Sequence, residues 1–131
     1  CIRDSPQLGE VELVVHEDEL ETPHGVRQRG ARDAASLRLL SGGRGEVAPG
    51  IRWIHTPGHS PGHVSYLVDG DEGLVVIAGD TLGPRPEWFA ENRLPEGFPE
   101  REAHLEAFRR IRAESPRRVI PGHNPPFVVA P

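Results

Sequence analysis

The sequence predicts one domain of the α/β (α+β) class, and three observations carry that reading. Short runs rich in β-branched residues recur along the chain. One of them, "LVVIA" (74–78), is apolar on both faces and so belongs between layers. A single long amphipathic stretch, 99–115, reads as a helix and is followed directly by a further strand. At 131 residues the chain has a common single-domain size. A chain of this length buries roughly two thirds of its surface, enough for one core.

Taken in order, "VELVVH" (11–16) is a strand. Residues 17–46 are polar and interrupted by Gly and Pro, which predicts a surface excursion with a short helix around 33–39. "GIRWIHT" (50–56), "HVSYLV" (63–68) and "LVVIA" are strands, the last two joined by Asp69–Gly73 as a five-residue hairpin connection. Residues 83–98, "GPRPEWFAENRLPEGF", form a long Pro- and Gly-rich loop of the kind that carries function. The helix at 99–115 starts with Pro and acidic residues and ends in basic ones, which suits its dipole. Ala107, Phe108 and Ile111 make its inner face, with His104 beside them as a core histidine. "RRVI" (117–120) is the last strand and runs into "PGHNPPF".

Composition narrows the function classes. The net charge of -5 argues against a non-specific nucleic-acid binder, which is normally basic. No apolar run approaches the roughly 20 residues of a membrane-spanning helix. The start, "CIRDSPQLGE", lacks the apolar stretch of a signal peptide, so the cytoplasm is the default location. The single cysteine, Cys1, excludes a disulfide scaffold and a Cys-rich zinc ribbon. All 15 basic residues are Arg, a coding bias more than a chemistry.

The chemistry concentrates after the strands. "HTPGHSPGH" (55–63) spaces His55, His59 and His63 as a helix would, but Pro57, Gly58, Pro61 and Gly62 forbid the helix. The histidines therefore stand on a rigid turn. "LVVIAGD" ends a buried strand in Asp80, where a carboxylate is costly unless paired or bound to metal. "RRVIPGH" repeats the design with His123. Three strands thus end in small-residue turns that carry His59, Asp80 and His123. On the residues alone, a metal site and a set of backbone-capping histidines stand as alternatives.

"TPGHSPGH", "VVIAGD" and "VIPGH", in that order and in those strand contexts, resemble the last three metal motifs of the metallo-β-lactamase-fold hydrolase superfamily. "VELVVHEDEL" is similar to the strand that follows that family's first metal motif. The resemblance implies an αββα sandwich with the site at one edge, here its C-terminal portion, residues 1–131 being a partial domain. It implies zinc, two ions in an intact homologue and one or none here, with iron or manganese as other metals. His59 then binds one metal, His123 the other, and Asp80 bridges them as the catalytic residue that also orients the nucleophile. His63 and His55 become hydrogen-bonding supports. The implied substrate is a small molecule: a lactone, thioester, other ester or phosphodiester.

The family's His-x-His-x-Asp-His signature is absent from the chain. Together with the lack of Met, this implies the C-terminal part of a longer enzyme, whose missing N-terminal half is its partner and which has little activity alone. Two alternatives belong to other classes: a non-catalytic remnant of the fold, and a redox enzyme using a single iron. Other residues carry weaker readings. Trp88 and Phe89 either wall a substrate pocket or pack on the sandwich. Arg85 and Arg93 either meet an anionic substrate or are solvated. His16, His24 and the acidic run Glu17–Glu21 are structural or solvated.

Overall fold

A computed structural model of the chain describes residues 12–21 and 36–130. It contains a two-stranded parallel sheet, β1 (Glu12–His16) with β2 (Ser36–Leu40). A six-stranded mixed sheet follows in sequential order: β3 (Arg44–Ala48), β4 (Ile51–His55), β5 (Val64–Gly70), β6 (Gly73–Gly79), β7 (Arg118–Pro121) and β8 (Phe127–Val128). Two helices, α1 (Pro86–Glu91) and α2 (Arg101–Ala113), lie between β6 and β7 in the chain. Cys1 and His24 lie outside the described residues.

Strand pairing decides where the chemistry goes. β4 and β6 are both antiparallel to β5, and β6 is parallel to β7. The C-terminal ends of β4, β6 and β7 therefore reach the same edge of the sheet. These are the strands that lead into His59, Asp80 and His123.

The period of two splits the large sheet into two faces. Leu67, Val76 and Val119 stand side by side across β5, β6 and β7 and are fully buried. They pack with Phe89 of α1 and Leu105, Phe108 and Ile111 of α2 into one core. The parallel crossover from β6 to β7 carries both helices over this face, as such a connection must. On the other face Tyr66, Ile77 and Ile120 share a row, and Ile77 remains 41% exposed. Trp53 begins that row and is buried because β1 reaches it: the His16 ring meets it edge-on at 5.7 Å. Nε2–H of His16 also donates to the Gly42 carbonyl at 2.8 Å. The small sheet thus starts a second layer over one end of this face.

Four sequence expectations are corrected. Residues 36–39 form a strand, since pairing with β1 supplies ladder bonds that outweigh local propensity; residues 33–35 lie outside the described residues. The β5–β6 connection is only Asp71–Glu72, because Gly70 and Gly73 pair. Loop 83–98 contains α1, with Pro86 at its first turn and Asn92 ending it in the left-handed region. β3 and β8 are edge strands too polar or too short to be seen in the pattern. No helix among the described residues is long and apolar enough to cross a membrane.

Candidate metal site

The turn after β4 is pinned at both ends. Thr56 N–H donates to the His63 carbonyl at 2.9 Å, and His55 Nε2–H donates to the Pro61 carbonyl at 2.7 Å. The Gly62 N–H donates to Glu19 at 2.9 Å, tying the turn to the acidic segment after β1. Gly58 has φ of 152°, and a Cβ there would stand 2.9 Å from the His104 ring. Only glycine meets both conditions. So the Pro and Gly residues shape one tight loop that lifts His59 to the surface, 54% exposed.

Asp80 opens a short 3-10 turn directly after Gly79. Its neighbour across the parallel pair is the "PGH" turn: Gly122 N–H donates to the Gly79 carbonyl at 2.9 Å. A Cβ on Gly122 would collide with the Asp80 carboxylate. This bare backbone is a cradle for Asp80, and His123 follows it immediately.

The three side chains meet. His59 Nε2 lies 3.6 Å from Asp80 Oδ2, and His123 Nε2 lies 3.1 Å from Asp80 Oδ1. Each imidazole thus addresses a different oxygen of one carboxylate that is 22% exposed. Nitrogen, carboxylate and nitrogen form a donor set that suits zinc.

His63 lies behind this group. Its Nδ1 is 3.0 Å from Thr56 Oγ1, which in turn is 2.8 Å from Ser65 Oγ, and Thr81 donates to the Thr56 carbonyl at 3.2 Å. Burial, aided by the neighbouring His59, lowers its pKa to about 4 against the opposing pull of Asp80 and Glu19. His63 is therefore uncharged at neutral pH. The unfolded chain, with a value near 6.5, takes up this proton first, so protonation favours unfolding. Stability contributed by His63 should be intact above pH 6.5, fall as the pH drops towards 4, and then level off. Urea midpoints measured across that range should decline less steeply in His63→Gln than in the parent chain.

Beside the three residues lies a cleft of about 340 Å³. His104, Glu100 and an apolar wall of Pro84, Phe98 and Pro99 line the rest of it, with Gly58 and Gly83. Of the two readings of Trp88 and Phe89, packing holds for Phe89, and neither residue lines the cleft. Phe89 is buried in the core against Phe108 and Phe127, while Trp88 stands behind Phe98 with ring centres 5.3 Å apart. Trp88 therefore supports the wall without forming it. Arg85 lies over Trp88, and Arg93 pairs with Glu91 at 2.6 Å; neither lines this cleft. His104 is buried, as a core histidine should be, yet it borders the cleft. Helical periodicity assigns it to the inner face, and nothing in that pattern distinguishes the core from a cleft floor.

His16, Asp18 and His55 make a second group, their ligand-type atoms all within 4.8 Å. Three of its four ring nitrogens are already engaged. His16 Nδ1 accepts from the Asp18 N–H at 3.2 Å, and His55 Nε2 serves Pro61. The two rings stack in parallel, 4.0 Å apart and 5° from coplanar, and each presents a nitrogen 3.6 Å from Asp18 Oδ2. The group fastens the turn after β1 to the end of β4.

The chain is similar to known proteins over much of this architecture. It is 34% identical over 67 residues to an N-acyl homoserine lactonase of a Bacillus species, covering 51% of this chain and 26% of that one. It is 36% identical over 95 residues to metallo-beta-lactamase domain-containing protein 1 of Xenopus laevis, covering 70% and 36% respectively. A solved N-acyl homoserine lactone hydrolase, with the product N-hexanoyl-L-homoserine at its catalytic metal centre, superposes with a TM-score of 0.64. That match has 24% identity and covers 86% of this chain and 46% of the other. The chain thus spans less than half the length of each of these proteins. Residues 6–123 match the metallo-beta-lactamase superfamily, and the chain belongs to that family.

Proposed function

We propose that this chain carries one edge of the active site of a metal-dependent hydrolase. In this reading His59 and Asp80 would hold one zinc and His123 and Asp80 a second, and Asp80 would orient the nucleophile. The observation that carries it is the approach of two imidazoles to the two different oxygens of Asp80. Zinc bound there would supply Lewis acidity, polarising the scissile carbonyl and acidifying water. The chain's own contribution is positional: Gly122 cradles Asp80, and His63, uncharged and anchored on Thr56, steadies the loop beneath His59.

The cleft favours a neutral, ester-like substrate. Its apolar wall suits an acyl group, and among its described lining residues there is no Arg to pair with a phosphodiester. Within the ester class a lactone is the first choice, because the similar Bacillus protein is named a lactonase. Three ligands do not complete two metal centres, each of which needs several protein ligands and an open position. We assign the remainder to a His-x-His-x-Asp-His segment, absent from residues 1–131, in the N-terminal half of a complete domain.

Purified residues 1–131 should therefore bind a single zinc, weakly, and hydrolyse γ-lactones and aryl esters barely above background. Two tightly bound zinc ions with robust turnover would overturn this assignment of an incomplete site.

A further inference from the structure

Resting on the reading of the cleft as a substrate site, we infer that His104 is a substrate-binding residue. Its Nε2 accepts a hydrogen bond from an N–H of the substrate, such as the amide of an N-acyl lactone. Three observations lead there. Nδ1 lies 3.1 Å from the Glu100 carbonyl, and a carbonyl can only accept, so Nδ1 carries the hydrogen. In the neutral ring Nε2 is then an acceptor. That nitrogen has no hydrogen bond, yet it is not sealed: among the described residues only Arg112 Nε is both fully buried and unpartnered. His104 is only 4% exposed and lines the cleft that also holds His59, Asp80 and His123, so we place this open nitrogen in that cleft.

The ring is also held still. Phe98 meets it edge-on, with centres 5.1 Å apart and planes at 89°, while the missing Cβ of Gly58 lets the His59 loop lie directly against it. An acceptor fixed in this way selects donor-bearing ligands, because an analogue without the donor leaves Nε2 unpaired in a confined space. Phe98 and Pro99 alongside would take the apolar tail.

The test uses the zinc-loaded chain, titrated with N-hexanoyl-L-homoserine and with an analogue whose amide N–H is replaced by CH₂. The readouts are calorimetry and the imidazole ¹⁵N shifts of His104. The parent chain should prefer the amide ligand by about tenfold, a modest fraction of what polar recognition achieves. The His104 Nε2 resonance should move on binding. His104→Leu should lose the preference while keeping zinc affinity, and His104→Gln, which retains an acceptor, should recover part of it. Thermal melts would confirm that both variants are folded, and the Gln variant carries the test if the Leu variant is not. Equal affinity for both ligands in the parent chain, no binding of either, or an unmoved Nε2 resonance would overturn the inference. Failure of the metal reading would appear separately, as absence of zinc binding in the parent chain.

Discussion

Replacing Asp80 with Ala should abolish measurable zinc binding while leaving the chain folded. Among the described residues its carboxylate is the only group paired with both His59 and His123, with one oxygen towards each. Without it two exposed imidazoles remain, 54% and 73% accessible, with nothing between them. Loss of a mere supporting partner of a ligand costs about 10–100-fold in metal affinity. Loss of the shared ligand should exceed that, and calorimetric titration would measure it. The fold should survive because, among the described residues, the carboxylate pairs with these two histidines alone, and the turn it opens is closed by backbone, Gly83 N–H to the Asp80 carbonyl at 3.1 Å. His59→Gln and His123→Gln should each weaken binding less than Asp80→Ala. If Asp80→Ala binds zinc like the parent chain, the metal lies elsewhere.

Phe108→Ala should have the largest effect on stability. The side chain is fully buried, meets Phe89 edge-on at 5.6 Å, and joins α2 to the sheet through the core. Removing a buried Phe costs about 3–5 kcal/mol in transfer and cavity terms. Whole domains are stable by only about 5–15 kcal/mol, so this change should remove a large share of the stability. Ile77→Ala is the control. It removes apolar atoms from a neighbouring strand, but on the open face where Ile77 is 41% exposed. Its cost should stay near the ±0.5 kcal/mol typical of surface positions, rising no further than about 1. Urea denaturation followed by circular dichroism would compare the two. Equal destabilisation would mean that the open face is packed as tightly as the core.

The sequence pattern reveals most of what lines up with a local rule. β4, β5, β6, β7 and α2 lie within a residue or two of their expected ranges, since each is a run of the right period bounded by Gly or Pro. The site was legible for a related reason: a Pro-Gly or Gly turn after a buried strand presents the next polar residue at the sheet edge. That logic led to His59, Asp80 and His123. What the sequence hides is set by distant partners. Ser36–Leu40 becomes a strand because β1 runs beside it, and Leu37 and Leu39 point outwards there, 41% and 46% exposed, against the usual rule. Phe98 and His104 border the cleft because α2 crosses under the Gly58 loop, a tertiary contact with no periodic signature. Trp88, conspicuous in the sequence, is placed behind Phe98 for the same reason.

If His59, Asp80 and His123 act together as the metal-binding group, zinc must reach all three. The direct measurement is a zinc titration of the ¹⁵N-labelled chain, read on the imidazole ¹⁵N resonances. The Nε2 signals of His59 and His123 should shift with zinc, and both shifts should disappear in Asp80→Ala. His16 and His55 should keep their signals, because three of their four ring nitrogens are engaged with Gly42, Asp18 and Pro61. Zinc-dependent shifts at His16 and His55, with His59 and His123 unmoved, would contradict this assignment.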